Sequence, residues 1–351
     1  MHDSGDRTAG QTRRFDPPFS WVRAAAVRTL TLFGEDHGFF LMETERPMAA
    51  VSTLEGMLSE ISRVGNLHVP DACWDRYAAM TPEETRRRVL SAAGRPESGA
   101  ALLFTGVQMK NLAMAVHKSD GLAAAVFATA GAESNALRAS RDAGNFVEPG
   151  TVNLILLTNR RLSQPAMLRA VVTATEAKTA VFEDLDVRSR CTPIRHAATG
   201  TGTDNVVVLA GEGADADLAG GHARLGELIA RAVYDAVRES LDRRPEYRSP
   251  RPLEQRMTER GLTPEGASVS AGEIRCRWND SGVAGFLECA LAIQDAHERG
   301  LVENLDLFYQ WCRTVGDPAK TSPFARMDLP PVLRAAFGAA GNPQREPTKP
   351  S

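Results

Sequence analysis

Aromatic side chains are scarce in this chain: Phe, Trp and Tyr together make up 6% of 351 residues. That argues against a stacking platform for single-stranded nucleic acid. An excess of one charge is missing too. Lys and Arg number 41 against 44 Asp and Glu, for a net charge of -3. A general binder of nucleic acid or of anionic membrane surfaces carries a basic excess. Cysteine is confined to Cys73, Cys191, Cys276, Cys289 and Cys312, an odd number with no C-x-x-C pair. Reduced thiols are expected, and a zinc site on these spacings is not. No apolar run approaches the roughly 20 residues that cross a bilayer. The first fifteen residues, MHDSGDRTAGQTRRF, lack the apolar stretch of an export signal. The expectation is a cytoplasmic protein with no nucleic-acid and no membrane partner. Three chemical signatures are also absent: the G-x-x-x-x-G-K-[ST] phosphate loop, a dinucleotide fingerprint between strand and helix, and the G-x-S-x-G elbow.

What is present supports a sizeable core, with 43% apolar residues in a length that suits one large or two moderate domains. Residues 1–18 and 336–351 read as a disordered lead and tail, rich in polar residues, Gly and Pro. Between them, "DRRPEYRSPRPL" (242–253) marks a Pro/Arg-rich linker. It separates a core at 19–241 from a mostly helical extension at 254–335. Within the core, "AALLFTG" (100–106), "AAAVFATAGA" (123–132), "TVNLILLTN" (151–159) and "NVVVLAG" (205–211) read as strands buried on both faces.

Two helices alternate with these strands. One spans about 164–183, capped by Ser163, with Pro165 in its first turn. Leu168, Val171 with Val172, and Thr175 are its expected inner face. The other spans about 223–241, with Leu225, Leu228, Ile229, Ala232, Val233, Ala236, Val237 and Leu241 as a full apolar stripe. Strands alternating with such helices indicate an α/β fold. In the extension, Gly300 and Gly316 read as helix stops.

Several clusters carry possible chemistry. "HAATGTGTDNVVVLA" (196–210) holds Gly200 and Gly202, which permit backbone angles closed to other residues. It also holds three threonine hydroxyls and Asp204. On spacing alone this is either a tight turn entering a buried strand or one wall of a site. In "TATEAKTA" (173–180), Glu176 and Lys178 lie about 200° apart on a helix and cannot face one site. Lys178 on the inner edge either reaches water or meets an anion. His222 continues the apolar stripe of the second helix near its N-terminus, a position that favours a neutral ring able to act as base or ligand. Asn135 and Asn153 adjoin strand ends, where an amide can satisfy a loop or hold a substrate amide. Cys191 has no base nearby in sequence.

In order along the chain, "TAGAESNALRA" (129–139), "GTVNLILLTNRRLSQPAMLRAVVTATEAKTAVFEDLDV" (150–187), "ATGTGTDNVVVLA" (198–210) and "AGGHARLGELIARAVYDAV" (219–237) resemble the adenosylcobinamide amidohydrolase family. That family shows a "GTIN" segment, an "ATEAKT" helix, an "ATGTGTD" turn and an "AGTHTKLGELIG" helix start. The resemblance is strong over about 125–240 and looser over 40–240. Where the family has Thr-His-Thr, this chain has Gly221-His222-Ala223. "STLEGMLSEISRVGNLHV" (52–69) resembles the family's paired-glycine segment faintly, with Asn66 as the candidate for its asparagine.

The resemblance implies hydrolysis of the aminopropanol amide of adenosylcobinamide to adenosylcobyric acid, in cobinamide salvage. The substrate is a small corrinoid that brings its own cobalt, so no cofactor or metal of the protein is implied. Amide hydrolysis needs a base, oxyanion donors and an acid for the leaving amine. His222 or Asp204 is the expected base, and Glu176 the group that protonates the amine or orients water. Asn135, Asn153, Thr201 and Thr203 are the expected ligands of the oxyanion and the corrin amides, with Lys178 holding a substrate carbonyl or phosphate. No Ser or Cys has a visible activator, which disfavours a covalent enzyme. Two other readings stay open: a diverged amidohydrolase acting on a different amide, and a corrinoid-binding protein without catalysis. The sequence leaves a homo-oligomer open.

Overall fold

The computed structural model describes residues 12–143, 150–262, 281–315 and 329–340. The described residues fall into two compact units, one within 1–190 and 198–249, the other within 191–197 and 250–351.

The first unit is built on a nine-stranded mixed sheet. Its strands are β1 (Arg13–Arg14), β2 (Val22–Leu32), β3 (Glu35–Ser52), β4 (Gly56–His68), β5 (Ala100–Thr105), β6 (Ala113–Ser119), β7 (Leu122–Ala130), β8 (Val152–Thr158) and β9 (Asn205–Leu209). Four strands read from the sequence are β5, β7, β8 and β9. The parallel pair β8 and β9 brings Asn153 opposite Asn205. On the other side of β8, β7 runs antiparallel, with Thr129 opposite Asn153. The long strands β2, β3 and β4 carry no element in the sequence reading. Their charges and Pro47 interrupt the apolar alternation, and the β3–β4 register shifts between Glu43 and Met48, around that proline.

One edge of β3 pairs with β2 and then β9, while the other edge carries β4 and β5. The sheet folds over on itself at β3. Phe40, Met42, Ile61 and Val64 from one half then meet Phe127, Ile155, Leu157 and Val207 from the other in a single inner core. Alternate residues of the same strands face outward. Val126, Leu154, Leu156 and Val208 meet helices α3 (Gln164–Asp184) and α4 (Arg224–Asp242). Leu30, Phe39, Leu41, Leu67 and Leu102 are covered by α1 (Trp74–Ala78) and α2 (Pro82–Ala92). The result is helix, sheet, sheet, helix, an α/β fold in which β5, β7, β8 and β9 are buried on both faces.

Helix α4 buries the expected stripe from Leu225 to Leu241. Helix α3 corrects its expected inner face. It buries Met167, Ala170, Thr173, Ala174, Ala177, Lys178 and Val181, while Leu168 and Val172 are 54% and 44% exposed and Thr175 is exposed. The alanines lie on the face toward the sheet because their small side chains allow close approach. Apolar residues occur on several sides of α3, so periodicity alone did not single out that face. Ser163 stands at the N-cap without a capping hydrogen bond.

Part of the expected lead belongs to the sheet. β1 pairs with β2, and the Phe15 ring packs edge-on against Phe40 and Phe127. In the expected linker, Tyr247 is buried with the α3–α4 core.

The second unit contains α5 (Leu253–Glu259), α6 (Ser281–Glu298), α7 (Asp306–Val315) and α8 (Pro331–Ala340) around a core of Met257, Leu287, Leu291, Phe308 and Leu333. The start of the expected tail belongs to α8, where Ala336 and Phe337 are buried. Gly300 follows α6 with φ +71°, as a helix-stop glycine does. Gly316 lies outside the described residues.

Candidate active site

Asp204 stands at the N-terminal end of β9, and α3 runs back along the sheet so that Lys178 reaches it. The Lys178 Nζ donates to Asp204 Oδ2 in an ion pair whose side chains are 8% and 17% exposed. The Thr201 amide donates to the same oxygen at 3.1 Å. The other oxygen, Oδ1, accepts from the Thr201 hydroxyl at 2.5 Å and from the Val152 amide at 3.0 Å. A carboxylate offers about four lone-pair sites, and here four donors occupy them. Asp204 therefore ties three segments together: α3, the 199–204 turn, and the start of β8.

Gly200 and Gly202 shape this turn through space; the backbone angles that glycine permits and other residues do not are not used here, since neither has a positive φ. A Cβ on Gly200 would collide with Lys178 Nζ and Asp204 Oδ2. A Cβ on Gly202 would lie 3.1 Å from Asn135 Oδ1. A two-residue ladder, Gly200–Thr201 against Ala136–Leu137, docks the turn on the Asn135 segment. The Asn135 amide donates to the Gly150 carbonyl at 3.0 Å and to Thr203 Oγ1 at 3.4 Å. Its carbonyl oxygen is buried without a hydrogen-bond partner among the described residues. The Thr203 hydroxyl donates to the Gly150 carbonyl at 2.9 Å, and the Thr151 hydroxyl donates to the Thr203 carbonyl.

Asn153 lies at the same end of the sheet but on its inner face. Its Nδ2 donates at 2.9 Å to both Asn66 Oδ1 and the Phe104 carbonyl, and its own oxygen accepts from Asn205 at 3.4 Å. Asn66 donates in turn to Thr129 Oγ1 at 2.9 Å, and Asn205 Oδ1 accepts from Thr53 Oγ1 at 3.2 Å. These residues bridge the two halves of the folded sheet. Asn66, marked in the sequence only by a faint correspondence, joins Asn153 to Thr129 in that bridge.

Two expected catalytic residues are not brought to the Lys178–Asp204 pair. Glu176 is on the exposed side of α3. His222 is exposed and precedes the N-cap of α4, Ala223. The helix does not extend back to it, so it does not continue the buried stripe. The next residue but one, Arg224, bonds Ser119 and pairs with Asp120 in the turn before β7. Near the other end of α4, the Ser240 hydroxyl accepts from Ala130, the last residue of β7. A Cβ on Gly220 would touch both the His222 ring and Arg169 of α3, nine helical residues, about 14 Å, before Lys178.

Glu133, two residues before Asn135, is a further titratable group at this end of the fold. Burial pushes its carboxyl above the usual range, although Arg244, 2.5 Å away, pulls it down. A lone glutamate in a loop has no sequence signal for this. Among the described residues, no three His, Cys, Asp or Glu side chains are placed to hold a metal ion. No helix among them is long and apolar enough to cross a membrane.

The sequence is similar to known proteins over most of the first unit. A protein of Methanocaldococcus jannaschii described as uncharacterized is 37% identical over 241 residues, which cover 63% of this chain and 93% of that one. Adenosylcobinamide amidohydrolase of Halobacterium salinarum is 32% identical, covering 52% of this chain and 74% of its own. The Methanosarcina mazei protein of the same name is 29% identical, covering 56% and 92%. The model of the adenosylcobinamide amidohydrolase family matches residues 25–249, a span that contains the Lys178–Asp204 cluster and the asparagine bridge. The chain belongs to the adenosylcobinamide amidohydrolase family.

Proposed function

We propose that the protein hydrolyses the amide joining aminopropanol to the corrin side chain of adenosylcobinamide, releasing adenosylcobyric acid. The observation that carries this reading is the buried Lys178–Asp204 pair, assembled from two segments of a chain matched by the family model. In this reading the Lys178 ammonium stabilises the negative charge that develops on the amide oxygen, in a site where low exposure strengthens the interaction. Asp204 has its acceptor sites filled, so a proton from the attacking water reaches it through the Thr201 hydroxyl, which already donates to it, and the same relay returns that proton to the aminopropanol nitrogen as the C–N bond breaks. The Asn135 carbonyl, unpartnered among the described residues, accepts an N–H of the substrate. Thr203 holds the Asn135 amide in place, and Asn153 supports the floor from the inner face. Cobalt enters within the substrate.

The Gly221-His222-Ala223 departure lies at an exposed loop before α4. The test is to incubate the protein with adenosylcobinamide and follow release of aminopropanol, then to repeat this with Asp204→Asn and Lys178→Met. Release by the wild type and its loss in both variants is expected. No release by the wild type, or full activity in both variants, would overturn the reading.

A further inference from the structure

A cavity of about 310 Å³ lies between the β3–β4 hairpin, the α1–α2 segment and β5, within the first unit. Its walls are mainly apolar, with Leu54, Trp74, Tyr77, Met80, Leu102 and Phe104 among them. We propose that it is a binding site for an uncharged group of two fused rings.

Size, charge and position support that occupant. A dry apolar cavity of roughly 150 Å³ takes one benzene ring, and ligand pockets begin at about 300 Å³. Twice the benzene cavity suits two fused rings, and the Trp74, Tyr77 and Phe104 rings offer them flat partners. Among the lining residues only Glu55 and Arg86 carry charge, and they pair with each other at 3.0 Å. The neutralised pair leaves no free charge to draw an ionic ligand, and it ties the hairpin to α2.

The cavity also adjoins the asparagine bridge. Thr53, the chain neighbour of Leu54, bonds Asn205, and the Phe104 carbonyl accepts from Asn153. Two segments that line it, at Leu54 and Phe104, are thus tied to strands β8 and β9. Its existence does not depend on the chain being an amidohydrolase.

The experiment is calorimetric titration of the full chain with 2-naphthol, an uncharged two-ring probe, and with 2-naphthalenesulfonate as its charged counterpart. Met80→Trp fills the cavity and Trp74→Ala removes a wall, while Leu218→Trp, at an exposed position elsewhere, is the control. Thermal melts establish that each variant is folded. The wild type and the control should bind 2-naphthol, with affinity at least about tenfold weaker in both cavity variants and for the sulfonate. Absence of binding to the wild type at ~1 mM 2-naphthol, or affinity unchanged in both cavity variants, would overturn the proposal. Because no turnover is measured, failure here leaves the amide-hydrolysis reading to its own test.

Discussion

Lys178 and Asp204 form an ion pair between the outer helix layer and the mouth of β9, with both side chains largely buried. The pair has no room for a side chain beside it, since a Cβ on Gly200 would meet both charged atoms. Sequence spacing put a lysine on a helix and an aspartate after a turn 26 residues later. The crossover from β8 through α3 to β9 joins them.

Removing one charge strands the other. Asp204→Asn or Lys178→Met should each destabilise the protein by about 3–5 kcal/mol, the range for breaking a buried pair from one side. Urea unfolding of the two single variants and the double variant measures this. The double variant should be more stable than the sum of the two losses implies.

Gly200→Ala should act through the same pair. Its clash falls on the ends of two side chains, Lys178 and Asp204, so the backbone survives and the ion pair yields. We expect a folded protein with amide hydrolysis reduced by more than about tenfold, since one displaced oxyanion donor costs about 10²–10³. Gly202→Ala, whose Cβ stands 3.1 Å from Asn135 Oδ1, should instead raise KM more than it lowers kcat. Steady-state kinetics on adenosylcobinamide separates the two.

His222→Ala should leave stability within about 0.5 kcal/mol of the wild type, as an exposed substitution does. Loss of a general base costs about 10²–10⁴ in rate, and the placement of His222 predicts a loss below about tenfold. A larger loss in the kinetic assay would return His222 to the site.

Asn66→Ala removes the acceptor for Asn153 and the donor to Thr129 together. A destabilisation of about 1–3 kcal/mol is expected for buried polar groups left unpaired. Asn153→Ala should cost a similar amount, and the double variant less than the sum, as read from denaturation midpoints.

His68, at the end of β4, is pushed below its ordinary value of 6.5 by burial first and by the neighbouring His37, against the pull of Asp71. Its folded form therefore binds a proton less readily than the unfolded chain. The stability it contributes is present above 6.5 and is lost as pH falls through the depressed folded value. Urea midpoints measured downward from pH ~8 should fall less steeply in His68→Gln than in the wild type.

Much of this protein was legible in the linear sequence. Continuous apolar runs marked β5, β7, β8 and β9, and α4 showed its buried stripe residue by residue, because burial on both faces and helical period leave local patterns. The ordered motifs around Asn135, Lys178 and Asp204 carried the family. The inner face of α3 was not legible, because apolar residues occur around much of the helix and only the sheet selects its alanines. Nor was the role of Gly200 and Gly202, since the atoms that exclude a side chain there arrive from Lys178 and Asn135. His222 read as part of a helix that begins after it, and Asn66 met Asn153 only once the sheet had folded over at β3. Local chemistry along the chain determined the elements and the kinds of groups available. Which groups meet was decided by strand order and by the direction of α3 and α4, because those alone set which ends of the elements share a place.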